Sequence, residues 1–320
     1  MLTIFTAPKP FTDPHIDLIQ RNAIRSWRDL GPPVEVLLIG DEPGMRQAAE
    51  ELQVRQLADV ERTDLGTPRI DSIFRLARQA SSQPLLAYVN ADILLMPDVL
   101  EAARAAIKRF EAFLLIGQRW DLEVQEGLTV GETGAVELRQ RTHAQGRLHP
   151  PGGSDYFLFP KACFSQIPPF AVGRAGWDNW MIFHARKQGW PVIDATAAVM
   201  PVHQTHDYGH LPNGQPHYRL PESGENLRLA GGRRRVFRLP DANYLLQGGT
   251  IGRRPWTFAG MLLSLERWPV LGWDSDLLAN LVFACLHPVR AWQELRGALG
   301  YLYAKRIARR SRAAQGGGVT

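Results

Sequence analysis

Along the first 120 positions of this chain, apolar residues fall alternately in short continuous runs and in stripes of helical spacing. Leu2 to Ala7, Val34 to Ile39 and Leu85 to Leu95 are runs suited to a sheet buried on both faces. Between the first two, Ile16, Ile19, Ala23, Trp27 and Leu30 recur every three or four residues, the inward stripe of a helix. Asp13-Pro14 and Thr67-Pro68 each set a capping side chain before a proline suited to a first turn. Ile70, Ile73, Phe74 and Ala77 then form a second stripe. Met45 to Leu52 reads as a short helix and Val54 to Leu57 as a small strand. Pro97 opens a helix that turns Leu100, Ala103, Ile107 and Phe110 inward, and Phe113 to Gly117 is a further strand. This alternation predicts an α/β fold with a mainly parallel sheet.

Residues 121–150, rich in Gly, Gln and Arg, follow neither period and read as an irregular insertion. A second block begins at Pro150. It holds a strand over Tyr156 to Phe159, the Trp177-Asp178-Asn179-Trp180 segment, a helix running to Gln188 and stopped by Gly189, a strand over Val192 to Ala197, and a histidine-rich loop over Pro201 to Pro212. Beyond about residue 222 the chain turns basic and then helical. The expected organisation is a domain over 1–215, with halves 1–120 and 150–215, followed by a mostly helical extension over 216–320 with a basic tail.

Composition narrows the class. With 320 residues, 45% hydrophobic and 22% charged, the chain suits one large α/β domain or two small ones. No run approaches the roughly 18 apolar residues of a membrane span, and Leu2 to Thr6 reads as a strand rather than a targeting segment, so the expected location is cytoplasmic. Cys163 and Cys285 lie in unrelated contexts and support neither a disulfide framework nor a zinc knuckle. Of the 37 basic residues, six follow Glu294 with no acid among them; the other 31 nearly balance 32 acids. The net charge of +5 therefore reflects a tail, and no nucleic-acid motif accompanies it. Trp292, Leu295, Leu299, Leu302 and Ile307 fall close to one face of a helix ending in that basic stretch. It reads either as packed on the catalytic domain or as a peripheral contact with a membrane surface.

Candidate chemistry gathers where strands end, the side of open α/β sheets that binds ligands. Thr6 and Lys9 follow the first strand, Asp41 the second, and Asn90-Ala91-Asp92 interrupts the third apolar run. A carboxylate inside such a run is costly unless paired or holding a cation, so Asp92 is either a metal ligand or part of a polar turn. The turn Thr6-Ala7-Pro8-Lys9-Pro10 offers no dinucleotide-binding glycine loop. His203, His206, Asp207 and His210 crowd one short segment. His206, and next His203, are candidates to join Asp92 on Mn²⁺ or Mg²⁺; a histidine ligand favours Mn²⁺ slightly. The alternative is a hydrogen-bonded polar turn. Asp178 sits at a helix start, as a cap or as a general base for an acceptor hydroxyl. Trp177, Trp180 and Asn179 beside it offer stacking surface and donors for a sugar. Arg69 is a phosphate donor at a helix start or a solvated arginine, and Asp155 a ligand of sugar hydroxyls or a turn former.

The order of elements, together with Thr3-Ile4-Phe5-Thr6-Ala7-Pro8-Lys9-Pro10-Phe11, Asn90-Ala91-Asp92, Ser154-Asp155-Tyr156-Phe157-Leu158-Phe159-Pro160, Gly176-Trp177-Asp178-Asn179-Trp180 and the His203–His210 loop, resembles the glycosyltransferase-A fold. Over residues 1–215 the chain is similar to family-2-like nucleotide-diphospho-sugar transferases. The resemblance implies a Rossmann-like mixed sheet flanked by helices, and a UDP- or GDP-linked donor held by the first strands. It also implies a divalent metal on the Asp-x-Asp position, a later acidic motif supplying the base, and often a histidine completing the metal site. Here Asn90 replaces the first acid, and Trp-Asp-Asn replaces Glu-Asp. The expected activity is sugar transfer to a hydroxyl of a glycan or lipid-linked acceptor, as in polysaccharide biosynthesis, inverting if Asp178 is the base. The alternatives are a sugar nucleotidyltransferase, a metal-dependent hydrolase built on His203, His206 and Asp207, and a non-catalytic carbohydrate-binding module.

Overall fold

A computed structural model of the chain describes residues 1–32, 34–129, 131–152, 154–206 and 220–300. The chain divides into two compact units, Met1–Pro255 and Trp256–Thr320. The boundary expected at 215 falls inside the first.

In the first unit the alternation of runs and stripes becomes β1 (Leu2–Thr6), α1 (Pro14–Arg28), β2 (Val34–Ile39), α2 (Met45–Glu51), β3 (Arg55–Leu57), α3 (Ile70–Ala80) and β4 (Leu85–Val89). There follow β5 (Ile93–Leu94), α4 (Asp98–Arg109), β6 (Leu114–Ile116), β7 (Trp120–Leu122), α5 (Gly131–Gln145) and β8 (Arg147–Leu148). The unit closes with β9 (Tyr156–Pro160), α6 (Trp177–Lys187), β10 (Val192–Asp194), β11 (Val202–Gln204), α7 (Pro221–Leu229), β12 (Tyr244–Gln247) and β13 (Thr250–Arg253). Nine described strands form one sheet in the order β13-β12-β10-β6-β9-β4-β1-β2-β3. β1 runs parallel to β2 and β4, while β9 is antiparallel to β4 and β6. The sheet is therefore mixed, and α1, α3, α4 and α6 pack on it. Every residue of β1, β4 and β9 is buried, which accounts for their unbroken apolar runs.

The helix starts obey their signals unequally. At α1, Asp13 accepts from the backbone N–H of His15 and Ile16, both at 2.9 Å, and Pro14 holds the first turn. Thr67-Pro68 does not start α3. That helix begins at Ile70, Pro68 bridges to Arg62, and the Thr67 hydroxyl donates to Glu222 at 2.9 Å. The two groups that would have capped the helix are engaged elsewhere.

Residues 121–150 are not irregular. They carry β7, α5 and β8, and β5-β11-β7-β8 make a second, smaller sheet. Its strands are two or three residues long and α5 has no continuous apolar face, which hides the pattern: Leu138 packs against the cluster that includes Leu122 and Val202, whereas Val136 is exposed. Similarly, the expected loop after Pro201 begins with the strand β11. Asp207 and His210 lie outside the described residues.

Among its described residues the second unit contains α8 (Phe258–Gly272), α9 (Asp276–Leu286) and helical residues 288–300. Thr257 and Ser275 cap the first two through side-chain bonds to Gly260 N and Leu278 N. Val270, Ala279 and Phe283 are buried. No described helix is long and apolar enough to cross a membrane. Leu302, the basic stretch from Lys305 and Gly316–Gly318 lie outside the described residues.

A buried amide ties the smaller sheet to α1. Gln204 donates to the Ile19 carbonyl at 2.7 Å and accepts from Asn22 Nδ2 at 3.1 Å, and Asn22 in turn bonds to Glu126 and Leu128 of the chain beyond β7. Gln204→Leu keeps the volume but strands those partners, and should cost about 1–3 kcal/mol in denaturant unfolding.

Candidate functional site

The smaller sheet explains how residues more than a hundred positions apart meet. β11 pairs antiparallel with β5, setting His203 opposite Ile93, and parallel with β7, setting His203 opposite Asp121. Asp92, immediately before β5, thereby faces the histidines. Its Oδ2 lies 3.1 Å from His206 Nε2 and 3.8 Å from His203 Nε2. Its Oδ1 is buried and has no hydrogen-bond partner among the described residues. One donor atom from each of Asp92, His203 and His206 lies within 4.8 Å of the others. One carboxylate, two imidazoles and an unpartnered buried oxygen form a donor set suited to a divalent first-row cation.

Charge is arranged in alternation around this group. Burial alone would raise the Asp92 pKa, but the His206 hydrogen bond and the nearby His203 and Lys9 hold the carboxylate well below the usual range. The Lys9 ammonium is 3.3 Å from His206 Nε2; its pKa is lowered by burial, against the pull of Asp92. Gln20 fixes the Lys9 backbone by accepting from its N–H at 2.7 Å and donating to its carbonyl at 3.0 Å. Behind His203, Asp121 Oδ1 meets His203 Nδ1 at 3.1 Å and Asp121 Oδ2 meets His149 Nδ1 at 2.7 Å. The Asp121 carboxyl is also held low: its burial is outweighed by these two bonds and by Arg119. Arg119 donates to both Asp121 (3.0 Å) and Asp155 (2.6 Å).

Asn90 explains its own departure from the Asp-x-Asp pattern. Its Nδ2 donates to Asp155 Oδ1 at 2.8 Å and its backbone N–H to the Asp155 carbonyl at 2.9 Å. A carboxylate at 90 would face the Asp155 carboxylate with like charge.

The opposite wall comes from the start of α6. Gly176, at φ +110°, occupies the N-cap, a conformation that favours glycine. Asp178 is therefore inside the first turn rather than the cap, and its Oδ1 accepts from Gly176 N at 3.3 Å. Burial pushes its pKa up to about 6, helped by the nearby Asp155 charge and resisted by backbone N–H groups. α7 braces this wall: Glu222 accepts from Arg174 (2.9 Å), Thr63 (2.6 Å) and Thr67 (2.9 Å), and Asn226 bonds both backbone groups of Ala171.

Lys9, Asn90, Asp92, Asp155, Trp177, Asp178, Asn179, His203 and His206 all line one cavity of about 690 Å³. Four other candidates do not. Thr6 is fully buried, its hydroxyl without a partner among the described residues. Asp41 is exposed and paired with Arg62 at 2.5 Å, in a separate surface groove. Arg69 is held by Asp71 (2.6 Å) and Glu61 (3.0 Å). Trp180 is a core residue, stacked on His184 with ring centroids 4.6 Å apart. Trp177 lines the cavity but is itself largely covered, edge-on to Tyr88. Sequence reasoning missed Arg119, Asp121 and His149. The polar-apolar alternation of Arg119-Trp120-Asp121-Leu122 was the available sign of a strand there.

No protein-family model matches this chain, and no curated protein matches it in sequence. Among solved structures, glucosyl-3-phosphoglycerate synthase from Mycobacterium tuberculosis in complex with Mn²⁺, UDP and phosphoglyceric acid is similar at 13% identity and a TM-score of 0.46, over 80% of this chain and 86% of that one. A mannosyltransferase from Pyrobaculum calidifontis in complex with GDP-Man and Mn²⁺ is similar at 12% identity and a TM-score of 0.43, over 96% and 86%. Likenesses this remote leave the function to be read from the residues.

Asp178 gives a test of this wall without substrate. Its pKa is raised on folding from 3.8 to about 6. The folded state therefore holds the proton more tightly, and the stability this supplies is lost as pH rises through 6. Relative to Asp178→Asn, the wild type should lose about 1–3 kcal/mol between pH 4 and pH 7. Urea midpoints across that range measure it.

Proposed function

We propose that this protein transfers a sugar from a nucleoside diphosphate donor, UDP- or GDP-linked, to a hydroxyl of a glycan or lipid-linked acceptor. The observation that carries the reading is a single cavity lined both by a cation-competent Asp92–His203–His206 group and by a carboxylate, Asp178, poised near pH 6. A departing diphosphate needs positive charge, and an acceptor hydroxyl needs a base that is ionised near neutrality. The two demands fall on different residues here. The resemblance to family-2-like nucleotide-diphospho-sugar transferases supports the same assignment.

In the proposed reaction the acceptor oxygen bonds to the anomeric carbon as the bond from that carbon to the diphosphate oxygen breaks. The diphosphate leaves with the electron pair, and the acceptor proton passes to Asp178. The displacement is single-step and inverts the anomeric centre. Asp92, His203 and His206 would hold Mn²⁺ or Mg²⁺, which when bound offsets the diphosphate charge. Lys9 adds a fixed cation on the same side. Asn90 and Asp155 are assigned to the donor, and Trp177 and Asn179 to the acceptor.

UDP or GDP with Mn²⁺ should raise the melting temperature of the wild type, and Asp92→Ala should remove the metal-dependent part of that rise. Asp178→Asn should keep the nucleotide effect yet lose transfer by roughly 10²- to 10⁴-fold. A wild type indifferent to every nucleotide at all Mn²⁺ concentrations would end the proposal.

Asp121 fixes the tautomer of His203 by accepting from Nδ1, as carboxylates behind metal-bound histidines do. Asp121→Asn should therefore weaken Mn²⁺ binding about 10- to 100-fold in calorimetry. An unchanged affinity would remove His203 from the ligand set.

A further inference from the structure

Tryptophan separates the two units. The five in residues 1–255 are buried or half-buried, whereas all four in the second unit, Trp256, Trp268, Trp273 and Trp292, are between 47% and 85% exposed. Nor are they isolated. Phe258, Met261, Leu265 and Trp268 recur every three or four residues along α8, and all are exposed. Leu277 and Leu281 lie one turn apart on α9. Val289, Trp292, Leu295 and Leu299 repeat the pattern over the helical residues 288–300. Such spacing puts apolar side chains on one face, the face a water-soluble helix normally turns inward. Here the buried positions Val270, Ala279 and Phe283 already serve the interior of the unit, and the stripes are additional.

Charge indicates what covers them. Residues 256–320 contain eight arginines and lysines against four acids, +4 of the net +5, and five of these cations follow the stripes in the sequence of residues 301–320, outside the described residues. A second copy of the unit would bring like charge against like. A surface of acidic headgroups would bring the opposite sign, and tryptophan has a preference of its own for that interface.

We propose that the second unit docks on an anionic lipid bilayer, with the exposed stripes of α8, α9 and residues 288–300 entering the interface and the net positive charge of the unit's sequence favouring acidic headgroups. The 15 residues of α8 span about 22 Å, short of the roughly 30 Å hydrocarbon core, so the helices lie in the surface and do not cross it. The inference is independent of the sugar-transfer reading.

The test uses the full chain with phosphatidylcholine vesicles containing either no or roughly 30% phosphatidylglycerol. Binding to the anionic vesicles should be at least about tenfold tighter, weaken with salt, and shift tryptophan emission to the blue. The double variant Trp273→Glu/Leu277→Glu should lose that binding while retaining the wild-type far-ultraviolet dichroism. Trp256→Glu, at a position before α8 begins, should weaken binding without touching any helix. The proposal is overturned if neither vesicle binds at low salt, or if the variants bind as the wild type does. It is equally overturned if sedimentation finds a dimer that the double variant splits while vesicle binding stays the same.

Discussion

The pairing of β11 between β5 and β7 is the contact on which the candidate site depends. It spans only two or three residues on each side, yet it alone brings His203 and, two residues beyond the strand, His206 to a carboxylate from a distant part of the chain. So short a ladder has little stability of its own. It is held by the buried Gln204 amide reaching α1, and by an apolar cluster of Leu94, Leu122 and Val202 beneath it. The larger sheet supplies the platform, and the smaller one decides which groups meet.

Around that meeting point, among the described residues, a cation or an amide stands beside or between the carboxylates of Asp92, Asp121 and Asp155. Arg119 stands between Asp121 and Asp155, Asn90 faces Asp155 with an amide, and imidazoles separate Asp92 from Asp121. Asp178 is the contrast. Among the described residues no arginine or lysine bonds to it, it senses the charge of Asp155, and its pKa moves up while those of Asp92 and Asp121 move down. Two classes of carboxylate thus share one cavity, one kept ionised and one able to exchange a proton near neutrality.

Much of this was legible in the sequence because it rested on period and interruption. The runs and stripes of the first 120 residues mark their elements, and Asp92 breaks an apolar run for a reason the structure supplies. What escaped depended on pairing rather than period. Asp121 lies in, and His149 just after, strands of two or three residues, and α5 lacks a continuous apolar face, so the brief alternation at Arg119-Trp120-Asp121-Leu122 was the one signal residues 121–150 offered. Asp41, Arg69 and Trp180 failed for another reason. A strand end or helix start indicates that a side chain is near the ligand side of the sheet but not which way it turns, and each of these had a closer partner in Arg62, Asp71 or His184.

The brace from α7 bears on where this protein can be cut. Glu222 ties Thr63 and Thr67 to Arg174, with Thr67 and Arg174 both lining the cavity, and β12 and β13 still add two strands to the main sheet after it. A fragment trimmed where the sequence resemblance fades, near 215, would forfeit the clamp and leave the edge of β10 bare. An autonomous first unit has to extend through residue 255, so the stretch after the histidine segment is a keystone of that unit and not an appendage to it.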